Sequence, residues 1–291
     1  MHNILKSLKL GLLHVGYAQL DDSWQYKNVI SPFSRLYLIT KGTGWVFHNE
    51  RKYNLNAGYL YLIPSFTYSH YHCDTFMDQY YISFLEETDE GFSIYDVADF
   101  NYEKKATEID NQIFSRLLEI NPHKAIAEYD PKAYDNRPDL LSFNQLNSNR
   151  NTSIQLESQG ILQQLFSRFI NDFTSNTNTK NKHSIHRITP TLRFINRNLN
   201  QKLTVNQLAA DNHLSPDHFS RMFKKIMGIS PIDYINNKRL ERAQLLLTTT
   251  DIPISHIAEM CGVSNIHYFS RLFKRRFNVP PGRYRTNRWK V

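Results

Sequence analysis

The chain has only two cysteines, Cys73 and Cys261, among 291 residues. Two thiols exclude a disulfide scaffold and fit a reducing compartment. Long hydrophobic runs are also missing, so no transmembrane helix is expected. The stretch from Lys6 to Leu20 has the length of a secretory leader, but His14 and Gln19 interrupt its apolar run. A cytoplasmic protein without a membrane partner is the expectation. Residues 174–184 contain no aliphatic or aromatic side chain. Such a stretch cannot bury apolar area against its ordering entropy and reads as a flexible linker. Acidic residues run short in the last third. Residues 184–291 hold 6 Asp/Glu against 18 Lys/Arg, whereas residues 1–183 hold 21 against 17.

What is present is ordinary core material. Hydrophobic residues make up 41% and charged residues 21%, which excludes wholesale disorder. The length predicts roughly two domains. The boundaries expected are 1–173, a linker at 174–186, and 187–291. A mildly acidic body with a strongly basic tail suggests that the tail meets nucleic acid, although a solvated basic surface has the same composition.

The basic third contains a repeat. Phe219-Ser220-Arg221-Met222-Phe223-Lys224 returns fifty residues later as Phe269-Ser270-Arg271-Leu272-Phe273-Lys274. Upstream, Leu208-Ala209 matches Ile257-Ala258; downstream, Pro231 and Tyr234 match Pro281 and Tyr284. Each copy reads as two short helices and a turn. Thr204-Val205-Asn206-Gln207 is a capping box, Ser215 caps the next helix, and Gly262 supplies the second turn. Phe219, Met222, Phe223 and Ile226 fall at helical spacing and are expected to be buried, as are Phe269, Leu272, Phe273 and Phe277. The opposite faces carry Asp217, Ser220, Arg221, Lys224 and Lys225, then His267, Ser270, Arg271, Lys274 and Arg275. Ser230-Pro231 opens a helix of about five turns between the copies. A stiff spacer of that kind can hold two helices in successive major grooves, which recur every ~34 Å.

These residues resemble the AraC/XylS family of bacterial transcription regulators over about residues 188–288. The second copy lies close to the family signature, with Val263 where Phe is commoner. The resemblance implies double-stranded DNA as the partner, read by the leading turns of both second helices. By position the base readers are Asp217, Ser220 and Arg221, then Ile266, His267, Ser270 and Arg271. Arg221 also stands four residues after Asp217, where an intrahelical ion pair is its alternative role. Lys224, Lys225, Lys274, Arg275 and Arg276 fall to phosphates or to a solvated face.

The first half reads as β structure. Leu36–Thr40, Trp45–His48, Tyr59–Ile63 and Tyr80–Leu85 are short β-branched or aromatic runs, punctuated by Gly42, Gly44, Gly58 and Pro64. The runs around Gly42, Leu55–Pro64 and His70-Tyr71 resemble the cupin-like sensor domain of sugar-responsive members of the family. The expected fold class is therefore α+β. A cupin-like antiparallel β-barrel with flanking helices precedes an all-α tandem helix-turn-helix domain. The resemblance implies a small-molecule effector, and a sugar is one candidate. It nominates Tyr71, Gln79 and Tyr81 as contacts; His70 is added as a polar side chain on the barrel wall. Tyr71 and Tyr81 serve equally well as barrel packing. A metal site is not expected: His70 and His72 share a strand face near Cys73, but no acid follows at the right spacing and His48 is the one remote histidine candidate. No cofactor is expected. Residues 107–172 read as mainly helical. Leu162, Leu165, Phe166, Phe169, Ile170 and Phe173 make an apolar stripe. The family resemblance implies that this helix lies against the barrel and carries a homodimer contact, and packing only on its own barrel is the alternative.

The leading function is an effector-controlled, dimeric DNA-binding regulator, touching RNA polymerase if it activates. Two alternatives stand beside it: a metal-dependent cupin enzyme with a DNA-binding appendage, and a regulator without an effector, controlled by a protein partner.

Overall fold

A computed structural model describes residues 8–88, 93–96, 98–126, 129, 152–171 and 179–286. The sequence also places turns at Pro122, Pro131 and Pro138; of these Pro131 and Pro138, together with Phe173 of the apolar stripe, lie outside the described residues. The chain forms two compact units. One comprises residues 9–86 and 99–171; the other comprises residues 172–290 together with the excursion 87–98.

The first unit is an antiparallel sheet with flanking helices. Its strands are β1 (Lys9–Asp21), β2 (Gln25–Val29), β3 (Ser34–His48), β4 (Arg51–Asn56), β5 (Tyr59–Ile63), β6 (Ser69–Glu87) and β7 (Glu103–Lys105). The order is β1-β6-β3-β5-β7, with β2 on β6 and β4 on β3. The stretch weighed as a leader is the long strand β1, in which His14 is buried and Gln19 faces outward. Two runs expected as separate strands are one: β3 passes through Gly42 and Gly44 without breaking. Register shifts there against β6 make the glycines bulges, not ends. A Cβ at Gly42 would lie 2.0 Å from the Phe76 carbonyl oxygen, so the strand bends where only glycine fits.

Side-chain alternation puts Trp24, Tyr37, Tyr53, Tyr61, Tyr71 and Tyr81 into one core with Val46, Leu55, Cys73 and Met77. Helix α1 (Glu108–Ile120) starts at a complete capping box, Thr107 with Asp110. It packs on α2 (Thr152–Ser167), where Leu162, Leu165 and Phe166 are buried. Phe166 meets Phe84 at 5.7 Å between ring centroids, which ties the helix to the sheet.

The second unit is helical. Its elements are α3 (Thr179–Arg197), α4 (Val205–Asp211), α5 (Pro216–Met227), α6 (Pro231–Thr249), α7 (Ile254–Met260), α8 (Ile266–Phe277) and α9 (Pro281–Thr286). Helix α3 begins at Thr179, inside the stretch expected as a linker. Its polar composition does not prevent helix formation, because the backbone hydrogen bonds of a helix need no apolar face. Thr204 accepts from the Gln207 amide, Ser215 from His218, and Ser230 from Asp233, so the predicted caps form, but among the described residues Gln207 does not return the bond that would complete a capping box. Helix α8 is capped by Asn265, whose side chain accepts from the Tyr268 amide at 2.9 Å.

Candidate nucleic-acid interface

In α5, Phe219 and Phe223 are buried while Met222 and Ile226 are half-buried. In α8, Phe269, Leu272 and Phe273 are buried and Phe277 is half-buried. These rings pack on Tyr234 of α6 in the first copy and on Tyr284 of α9 in the second, at centroid distances of 5.6 and 5.3 Å. The packing fixes which way each helix turns its other face.

That face is the expected one. Asp217, Arg221, Lys224 and Lys225 are exposed on α5, with Ser220 half-buried. His267, Arg271, Lys274 and Arg275 are exposed on α8, with Ile266, Ser270 and Arg276 half-buried. Among the described residues, neither Asp217 nor Arg221 enters an ion pair, so the guanidinium is not tied to its own helix. Arg275 and Arg276 also border a cleft of about 110 Å³ with Asp233, Asn236 and Asn237. Two neighbours were missed in the sequence. His218 is exposed beside Asp217, and Tyr268 is 43% exposed on the leading turn of α8. The offset of fifty aligns them with each other, and an exposed tyrosine at a helix start was the available signal.

The unit is braced by a half-buried polar cluster around the buried Tyr234. The 3-10 turn Ile94–Asp96 carries Asp96, which accepts from the Tyr234 hydroxyl at 3.0 Å. Lys238 Nζ lies 3.0 Å from Asp96 Oδ2 and 3.0 Å from Glu241 Oε2. Burial alone would lower the Lys238 pKa, but the two carboxylates outweigh it and hold the ammonium well above its ordinary value.

In the sheet unit the four nominated effector residues do not converge. Tyr71, Gln79 and Tyr81 face the core, whereas His70 alternates onto the outer face beside Phe47. Its Nδ1 accepts from the Asn28 amide at 3.3 Å. The His70 nomination is therefore corrected by the two-residue period of the strand. Tyr71 accepts a bond from the guanidinium of Arg35, itself only 2% exposed and resting over the Phe33 ring at 5.0 Å. Tyr81 accepts from the Ile126 amide at 2.9 Å, and its hydroxyl occupies the space a Cβ at Gly16 would take. Gln79 is 3% exposed and, among the described residues, its Oε1 has no hydrogen-bond partner. Among the described residues no three His, Cys, Asp or Glu side chains gather as a metal site. His48 lies inside against Tyr53, while His72 lies outside and stacks on Trp45. Nor is any described helix long and apolar enough to cross a membrane.

Comparisons with known proteins fit this geometry. Residues 208–287 match the helix-turn-helix domain family. A stretch of 92 residues is 40% identical to the bifunctional transcriptional activator/DNA repair enzyme AdaA of Bacillus subtilis, covering 32% of this chain and 44% of AdaA. A stretch of 91 residues is 35% identical to the probable transcriptional regulator LumQ of Photobacterium leiognathi, covering 31% of this chain and 37% of LumQ. The chain thus spans less than half the length of either relative. The crystal structure of ToxT from Vibrio cholerae O395 is 12% identical with a TM-score of 0.50, covering 98% of this chain and 100% of ToxT. At that identity the likeness is one of fold, a β unit followed by helices. The C-terminal unit of the chain is a tandem helix-turn-helix domain. It is of the AraC type.

Proposed function

We propose that the protein is a sequence-specific DNA-binding transcription regulator, whose helices α5 and α8 read neighbouring major grooves. The observation that carries this reading is the pair of equivalent, outward cationic faces on two helices whose opposite faces are locked by aromatic packing. Base reading falls to Asp217, Ser220 and Arg221, and to Ile266, His267, Ser270 and Arg271. Arg271 is the foremost of these, because a guanidinium takes guanine O6 and N7 together. Lys224, Lys225, Lys274, Arg275 and Arg276 neutralise phosphates. The role is non-enzymatic and the setting cytoplasmic. The test is site selection from random duplexes by the full-length protein, repeated over a salt series. A selected site covering about two helical turns, with affinity falling steeply in salt, supports the reading. Salt-sensitive binding without a preferred sequence sinks it.

The sheet unit is proposed to take a small polar effector, a sugar among the candidates. The Gln79 carbonyl, without a donor among the described residues, supports this, because a buried acceptor without a donor is costly unless something supplies one. A second reading is favoured by the rings of Tyr71 and Tyr81. Both hydroxyls already bond within the protein, as expected of a core that holds no effector. Dimerisation through α2 is part of the proposal; Leu156, 70% exposed on that helix, supports it.

A further inference from the structure

The two reading helices serve one DNA site only if their separation is fixed, and three contacts around the Leu199 and Gln201 carbonyls bear on that separation. Arg239, in the middle of α6, donates through Nε to the Leu199 carbonyl at 3.1 Å and through Nη2 to the Gln201 carbonyl at 2.6 Å. Leu199 and Gln201 lie between the end of α3 and the start of α4, in the segment that leads into the first helix-turn-helix copy. Gly262, in the turn between α7 and α8 of the second copy, sits on the same spot: a Cβ there would come 2.1 Å from the Leu199 oxygen and 2.8 Å from Arg239 Nη2. Gly262 also has φ of +73°, so the position is glycine for two independent reasons. The lead-in to the first copy, the spacer and the second copy therefore touch through backbone and a planar charged fork.

We propose that Arg239, seated against the bare backbone of Gly262, is a positioning residue that sets the separation of the two reading helices. The apolar contacts of α6 do not do this alone. Leu240, Ala243 and Leu247 pack on the second copy and Tyr234 packs on Phe223 of the first, but such surfaces permit small slides. A guanidinium bonded to two carbonyls does not, because its donors point in fixed directions. For its consequence in DNA reading, the inference rests on the function proposed above.

The test has one arm without DNA. Spin labels at Asp211→Cys on α4 and Glu259→Cys on α7, both exposed positions, report the separation of the copies in the full chain; the native thiols are buried. A narrow distance distribution is expected, broadened by Arg239→Met and to a smaller extent by Arg239→Lys. If Arg239→Met does not fold, Arg239→Gln carries the comparison. An unchanged distribution in the variant overturns the proposal. The second arm inserts one base pair between the two halves of the selected site. The unsubstituted protein is expected to lose about tenfold in affinity, as for a mismatched contact. Arg239→Met is expected to lose less than half of that penalty while binding an isolated half-site as before. Retention of the full penalty by the variant overturns the proposal. If the distances broaden but the unsubstituted protein shows no spacing penalty, the positioning role stands and the tandem-groove reading fails.

Discussion

The imidazole of His48 lies flat on the ring of Tyr53, with centroids 4.7 Å apart and 16° between the planes. Tyr102 closes the site edge-on at 5.2 Å. Burial in this aromatic box pushes the His48 pKa down from 6.5 to about 4. The folded state therefore binds the proton later than the unfolded chain does. The resulting stability is complete above pH 6.5 and is lost as pH falls towards 4. Its size is about 3 kcal/mol by linkage. His48→Phe keeps the stack and removes the titration. Urea unfolding of the sheet unit at stepwise pH is expected to show a shallower decline in the variant across this window; parallel curves would refute the assignment.

Gln79 leads to a second expectation. Replacing a buried amide whose carbonyl has no partner by an apolar group of similar size is neutral or stabilising. Gln79→Leu is expected to melt at or above the temperature of the unsubstituted protein. Small molecules that raise the melting temperature of the latter are expected to lose that effect in the variant. A clear destabilisation by Gln79→Leu would show that the amide is structural.

Arg271 and Lys274 separate sequence reading from charge. Arg271→Ala is expected to cost about 1–3 kcal/mol and to relax preference at one base pair. Lys274→Ala is expected to weaken all sequences alike and to reduce the salt slope by about 1. Competition assays with single-base variants of the selected site distinguish the two patterns. The assignment fails if Arg271→Ala leaves every preference intact.

Asp96 is the fourth case. Its removal leaves Lys238, 11% exposed, with Glu241 as its remaining ion-pair partner at 3.0 Å, and takes the acceptor from Tyr234. Asp96→Ala is expected to destabilise the helical unit by about 2 kcal/mol, the scale of a lost charged hydrogen bond. Chemical unfolding followed by helix content measures it, and Lys238→Met in the same background is expected to recover part of the loss.

The helical unit was legible because its signals are local. The repeat, the caps at Thr204, Ser215 and Ser230, and the alternation of Phe219 with Arg221 all lie within a few residues of each other. Its boundary was less so: α3 starts among polar residues, where apolar periodicity has nothing to report. The Asp96–Lys238 pair was invisible, since nothing local joins residues 142 positions apart. In the sheet unit, strand existence was readable but continuity was not, because Gly42 and Gly44 look the same in a bulge and in a turn. His70 was misplaced by one step of a two-residue period, which reverses a side chain completely. Arg35 gave no signal, as a lone arginine in a strand normally faces water.

The excursion 87–98 bears on how the two units can be recombined with units from other chains. The helical unit is not a contiguous stretch of the gene, because one of its acidic groups is encoded before the sheet unit is finished. A chimera joined at residues 174–186 would keep Lys238 and Tyr234 but receive whatever the donor encodes in place of Asp96. Grafts that transplant Ser93–Asp96 along with the C-terminal helices should fold as native units, while grafts cut only at the apparent junction should carry a mismatched clasp.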